Sequence, residues 1–189
     1  MNPEDGNLLR PESSQNVSHR AKLKSVEEVA KIVADARKQG KVVVLAHGTF
    51  DLLHLGHVRH LENAAREGDI VIVTVTADKF VNKGPHRPVF AASLRAEMLA
   101  SVNLVDYVAV NHAATAVPAI TEIKPNIYVK GSDYADTTSD ITTMIVEEQR
   151  AVEAYGGRIV FTDDITFSSS ALLNRHFDDS DPELKLFLD

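Results

Sequence analysis

Short apolar runs alternate with longer stretches of helical period along this chain, and that alternation limits the fold more than any other feature. Val42 to Ala46 (VVVLA) and Ile70 to Thr76 (IVIVTVT) are too apolar and too β-branched to keep one face in water. Such runs suit strands in the middle of a parallel sheet that is covered on both sides. Tyr107 to Val110, Ile127 to Lys130 and Arg158 to Thr162 read as three more strands. Between them lie helical stretches. Ser25-Val-Glu-Glu28 is a capping box that opens a helix of about 14 residues, which Gly40 stops. Leu53 to Arg66, Ser93 to Asn103, Ala116 to Ile123 and Asp140 to Tyr155 follow. Strand, helix and strand in this rhythm are crossover units, so the expected fold class is α/β: a Rossmann-like open parallel sheet of about five strands with helices on both faces. In such sheets ligands sit beyond the carboxyl ends of the strands, near the switch in strand order. The positions to inspect are those after Ala46, Thr76, Lys130 and Thr162.

The flanks differ. Residues 1–22 are polar, with two prolines and no hydrophobic period, and are expected to be a disordered arm. Residues 23–177 form the domain, and 178–189 read as an acidic tail or linker. With 44% apolar residues the chain can bury a core without staples. The absence of cysteine excludes disulfide frameworks, thiolate catalysis and cysteine-bound zinc. A net charge of −7 without a basic block argues against nucleic acid and against anionic membranes as partners. No apolar run reaches the length of a membrane helix and no signal peptide opens the chain, so a cytoplasmic location is expected.

One cluster breaks this plain picture: of eight histidines, four (His47, His54, His57 and His60) fall between positions 47 and 60. The first strand is followed by neither of the two common glycine-rich phosphate loops, but by Gly48-Thr-Phe-Asp51 and then His54-Leu-Gly-His57. The expected helix should contain His54, Gly56 and His57 in its first turn. A helix N-terminus favours anions, and two imidazoles three residues apart share one helical face, where both can donate to one phosphate chain. Gly56 leaves room for a ligand near the backbone. A zinc cluster is the competing reading for His54, His57 and His60, yet only Asp51 in this segment could complete it. A second anion-binding helix start is suggested by Ser168, Ser169 and Ser170, whose bland reading is simple capping.

Gly48 to Asp51 with His54-Leu-Gly-His57 resembles the signature of the cytidylyltransferase-like nucleotidyltransferase family. Gly68-Asp69, Arg87-Pro-Val89, Arg95, Val129-Lys-Gly-Ser-Asp-Tyr134 and Ser168 to Ser170 extend the likeness over about residues 24–176. Within the family the chain is most similar to the nucleotidyltransferase domain of the bifunctional heptose-phosphate kinase and adenylyltransferase, and less so to glycerol-3-phosphate cytidylyltransferase. The resemblance implies transfer of a nucleotidyl group from a nucleoside triphosphate, ATP or CTP, to a small phosphorylated sugar or polyol, with release of pyrophosphate. It gives His54, His57 and Lys83 catalytic roles on the triphosphate. It places Gly48, Thr49, Phe50, Gly56, Lys130, Gly131, Asp133, Ser168, Ser169 and Ser170 at the nucleotide, and Asp51 and Arg95 at the substrate. Mg2+ bound mainly through the triphosphate and a homodimer are implied as well. Asp51 stays open between a role near that ion and a cap on the turn after Gly48.

One departure tilts the substrate. Where the glycerol-phosphate enzymes carry Arg-Thr-x-Gly before the serine block, this chain has Asp163-Asp-Ile-Thr-Phe167, which favours the sugar-phosphate branch. Coenzyme-synthesis adenylyltransferases share the histidine block but not the Arg87-Pro-Val and Lys130-Gly-Ser-Asp-Tyr134 pattern. A module that binds nucleotide without turnover is the alternative of a different class.

Overall fold

A computed structural model describes residues 18–83, 86–131 and 141–162. Five helices and five strands alternate in it: α1 (Val26–Lys38), β1 (Val43–Gly48), α2 (Leu55–Glu67), β2 (Ile70–Thr76), α3 (Ala92–Ala100), β3 (Tyr107–Asn111), α4 (Val117–Ile123), β4 (Ile127–Gly131), α5 (Ile141–Glu153) and β5 (Arg158–Thr162). Every strand pair is parallel and the order is β3-β2-β1-β4-β5. The chain moves outward from β1 to β3, then crosses back to lay β4 on the other side of β1. The switch in strand order therefore falls beside the carboxyl end of β1.

The two-residue period of the strands sorts the core into two layers. Val44, Ala46, Val71, Val73 and Val75 face one way, against Leu61 and Ala64 of α2 and Ala96 and Leu99 of α3. Val43, Leu45, Ile72 and Tyr128 face the other way, against Val29 and Val33 of α1, Ile120 and Ile123 of α4, and Val152 of α5. Both faces of the sheet are thus covered, which is why β1 and β2 have almost no polar residue along their first four positions.

The two ends of the sheet are treated differently. At the amino end, side chains close the strand openings: Asp69 accepts from Val42 N–H (2.7 Å), Asp106 from Val71 N–H (2.8 Å) and Asn126 from Val43 N–H (2.9 Å). At the carboxyl end the inward positions turn polar, with His47, Thr74, Thr76, Asn111 and Lys130. Gly157 makes the tight approach to β5 possible, since a Cβ there would stand 2.6 Å from the Pro125 carbonyl oxygen and 3.0 Å from that of Asn126. Backbone cannot yield as a flexible side chain can. Gly157→Ala should therefore lower stability by about 1–3 kcal/mol, read as a lower urea midpoint at unchanged m-value.

Element boundaries agree with the sequence to within a few residues. The first strand runs on through His47 and Gly48, and α3 stops at Ala100, before the expected Asn103. The capping box at Ser25 is present, with Glu28 accepting from Ser25 N–H at 2.7 Å. The arm expected to be disordered through residue 22 needs a correction at its end. His19–Lys22 form a 3-10 turn in which His19 and Arg20 reach Glu97 of α3 at 3.1 and 2.8 Å, and Leu23 bridges to Val108. Residues 1–17 and 178–189 lie outside the described residues. Among the described residues no helix is long and apolar enough to cross a membrane.

Candidate active site

β1 delivers the chain to the switch point, and a tight turn redirects it into α2. Phe50 adopts a left-handed backbone (φ 48°), a conformation unusual for a bulky residue. Its ring folds back over Gly48, where a Cβ would come within 3.1 Å of it, and packs on His57 with centroids 5.2 Å apart. Phe50 is buried, and its ring supports that of His57.

His54, expected inside the first turn of the helix, is instead its N-cap, with extended backbone. Its Nδ1 accepts the Gly56 N–H at 3.1 Å, while Nδ1 of His57 accepts the His54 N–H at 3.3 Å. The two rings form a reciprocal cap built from imidazoles, with centroids 3.9 Å apart. This has a chemical consequence. A ring nitrogen that accepts cannot also hold a proton, so each neutral imidazole carries its hydrogen on Nε2, as a donor. Burial, then the neighbouring His54, His60 and Lys83, lower the His57 pKa to about 3. Burial and Lys83 lower that of His54 as well. At pH 7 the pair is two neutral donors at the positive end of a helix.

The other two histidines of the cluster serve the fold. His47 lies on the opposite face of the sheet, with Nδ1 2.9 Å from the Thr74 hydroxyl and Nε2 3.3 Å from that of Thr76. Burial and then Lys130 lower its pKa to about 3. His60 sits on α2 with Nδ1 2.8 Å from the Thr162 hydroxyl, joining the helix to the end of β5. Among the described residues no group of three or more histidine, aspartate or glutamate side chains is placed to hold a metal ion.

These buried rings make stability depend on acid. Their folded-state pKa values lie below the unfolded value of about 6.5, so the unfolded chain takes up the protons first. Stability is complete above that value and is lost as the pH falls from about 6.5 toward 3. For His47 alone the loss between pH 7 and pH 5 should be on the order of 1–2 kcal/mol. Urea unfolding at the two pH values, compared with His47→Asn, checks this: the variant should show the smaller drop, and equal drops would exclude His47 as a source.

Lys83 stands near the histidine pair. It is exposed, yet enough protein surrounds its ammonium for burial to lower its pKa, with Arg87 acting in the same direction and Asp51 opposing. Asp51 is 2% exposed and neither caps the turn after Gly48 nor offers a free carboxylate. Oδ1 accepts the N–H groups of Val89 (2.7 Å) and Phe90 (3.2 Å), and Oδ2 stands 2.6 Å from Arg87 Nε. Asp51 therefore ties the β1–α2 turn to the loop before α3.

Arg95 also departs from expectation. It is fully buried, and its guanidinium donates to the carbonyls of Phe90 (2.8 Å), Thr49 and Thr76 (2.8 Å) and to Asp78 Oδ1 (2.6 Å). With its donors so occupied it clamps three loop segments together behind the site, and direct substrate contact is corrected to a positioning role. Thr49 meets it through its carbonyl. Lys130 is likewise buried, 2.9 Å from Glu148 on α5, with Tyr128 donating to the same carboxylate at 2.9 Å. Its ammonium links β4 to α5. Gly131 ends β4, and among the described residues nothing comes within 4 Å of a Cβ position there. Asp133, Ser168, Ser169 and Ser170 lie outside the described residues.

The structure thus brings Gly48, Thr49, Phe50, Asp51, His54, Gly56, His57 and Lys83 to one sheet end. In the sequence Arg87 stands out only as part of the Arg-Pro-Val block, and Glu148 and Asp78 not at all. The approach of Arg87 to Asp51 arises from the crossing of two loops, which no spacing in the sequence reveals.

Comparison with known proteins gives this geometry its class. The cytidylyltransferase-like pattern matches residues 45–175, which include the whole turn and histidine pair. The chain belongs to the cytidylyltransferase-like family. It is 39% identical over 141 residues to the bifunctional protein HldE of Trichlorobacter lovleyi, across 74% of this chain and 27% of that one. It is 40% identical over 140 residues to HldE of Sulfurimonas denitrificans, across 73% and 29%. The chain spans under a third of the length of these relatives. A solved structure of the lipopolysaccharide core biosynthesis protein from Thermoplasma volcanium superposes with TM-score 0.56 at 27% identity, covering 67% of this chain and 99% of that one. Pantoate-beta-alanine ligase from Francisella tularensis, at TM-score 0.55 and 16% identity over 80% of this chain and 72% of that one, shares the fold.

Proposed function

We propose that this domain transfers the nucleoside monophosphate of ATP or CTP to a sugar 1-phosphate of heptose type. The observation that carries the reading is the histidine pair, whose Nδ1 atoms are both tied to backbone N–H groups, leaving two Nε2–H donors at the start of α2. A phosphate oxygen of the acceptor attacks the α-phosphorus of the triphosphate. The new P–O bond forms as the bond to the bridging oxygen breaks, and pyrophosphate departs with that electron pair. A phosphomonoester has a second pKa of about 6, so it is already largely a dianion at pH 7 and needs no general base. The protein supplies position and charge: the imidazole donors meet oxygens on which charge grows, and Lys83 adds a cation beside them.

Magnesium fits this site only in company with the nucleotide. Asp51, the carboxylate of the β1–α2 turn, has both oxygens engaged, and the charged groups near it are the cations Lys83 and Arg87. The substrate is accordingly the magnesium complex of the triphosphate, in which the ion neutralises phosphate charge. Likeness to HldE proteins and to a lipopolysaccharide core biosynthesis protein supports an acceptor from carbohydrate synthesis. The same reading includes a cytoplasmic homodimer, whose oligomeric state light scattering would test.

The deciding experiment is a matrix of ATP, CTP, GTP and UTP against heptose, hexose and glycerol phosphates, scored by pyrophosphate release. One productive pair with a sugar 1-phosphate is expected. Release with glycerol phosphate alone would move the assignment to the polyol branch, and binding without release would make the domain a sensor.

A further inference from the structure

Transfer between two phosphate compounds needs two anion pockets, and the histidine pair accounts for one. The second is marked by Arg87. Its side chain is only 10% exposed, and a guanidinium keeps its charge at any physiological pH, so it cannot escape burial by losing a proton. Nε stands 2.6 Å from Asp51 Oδ2, a close charge contact off the line of a hydrogen bond. Nη2 is buried and has no hydrogen-bond partner among the described residues. Left in that state, a buried cationic donor is costly, which makes it a group prepared for an anion.

The surroundings say which anion. Asp51 holds the backbone of Val89 and Phe90 with one oxygen and Arg87 with the other, so the loop and the guanidinium are fixed together to the turn that carries the histidines. Lys83 is close enough to act electrostatically on His54, His57 and Arg87 alike. The histidine pair suits the triphosphate at the helix start, and a planar fork with one edge held by a carboxylate suits a phosphomonoester.

We propose that Arg87 binds the phosphomonoester of the acceptor, fixed by Asp51 on its Nε side and unpaired at Nη2; this rests on the transfer reaction proposed above. Arg87 then sets the distance between attacking oxygen and α-phosphorus, and selects acceptors that end in a dianionic phosphate.

The test uses the full chain and the most productive pair from the matrix, varying each substrate at saturation of the other. Arg87→Ala should raise the acceptor KM by about 30-fold or more, with the triphosphate KM within about threefold of wild type. Arg87→Lys keeps a charge opposite Asp51 but not the fork, and should raise the acceptor KM by about tenfold. If the alanine variant fails to fold, the lysine variant carries the same readout. A loss falling on the triphosphate KM would assign Arg87 to the nucleotide, and an unchanged acceptor KM in the folded variants would leave its open edge without a substrate; either overturns the proposal. A wild-type protein that turns over no pair is a separate result, which removes the transfer reaction and this assignment with it.

Discussion

Replacing His57 by alanine should lower kcat by about 10²–10³-fold, the loss expected when one preorganised donor to a developing oxyanion is removed. The ring is held in place by three contacts: its Nδ1 accepts the His54 N–H, and the rings of Phe50 and His54 pack against it. Such a donor needs little reorganisation as charge moves onto the pyrophosphate, so its removal weakens the transition state more than the bound nucleotide, and the triphosphate KM should change only a few-fold. Alanine also removes the acceptor that caps the His54 N–H. His57→Asn separates the two effects, because its side-chain oxygen can stand where Nδ1 stood while nothing replaces Nε2. The asparagine variant should melt like the wild type and still lose the same rate. Normal turnover in that variant would end the histidine mechanism.

The largest stability effect is expected at Arg95, where alanine should cost about 3–5 kcal/mol, the range for breaking a buried, hydrogen-bonded charge. Three backbone carbonyls, of Thr49, Thr76 and Phe90, would lose their donor at once. Asp78, which is half-exposed, would find water more readily. For a chain of this size the loss corresponds to a melting temperature lower by roughly 10 °C. Arg95→Lys should recover little, since one ammonium cannot serve acceptors that lie on three separate segments. Calorimetry with substrate kinetics distinguishes this clamp from a substrate contact, for which the melting temperature would hold and KM alone would rise.

What the sequence made legible follows from what is local. The strand runs, the capping box at Ser25 and the histidine pair each depend on neighbours a few residues away; the first two are found where the pattern puts them, and the pair stands at the expected helix start with His54 as N-cap rather than inside the first turn. The crossover rule then supplies a parallel sheet and the end of it at which to look. The fate of individual cations was not legible, because it depends on which carboxylate or carbonyl a distant loop presents. Arg95 stands in the first turns of a helix and Lys130 at a strand end, places that ligand-binding residues also take, yet Asp78 in one case and Glu148 in the other take up the charge. His47 and His60 belong to the same count as His54 and His57, but threonine hydroxyls from other strands claim them.

The bond from Asp51 to the loop before α3 has an evolutionary meaning. The turn and α2 hold the parts assigned to the nucleotide, whereas Lys83 and Arg87 arrive on a separate excursion between β2 and α3 that meets the turn through the Asp51 carboxylate and, behind it, the Arg95 guanidinium. On the functional reading proposed here, that excursion is exchangeable: its length and basic residues can be rewritten to suit another phosphate ester while the sheet and the histidines stay as they are. Asp51 is the joint that any such replacement would have to fit.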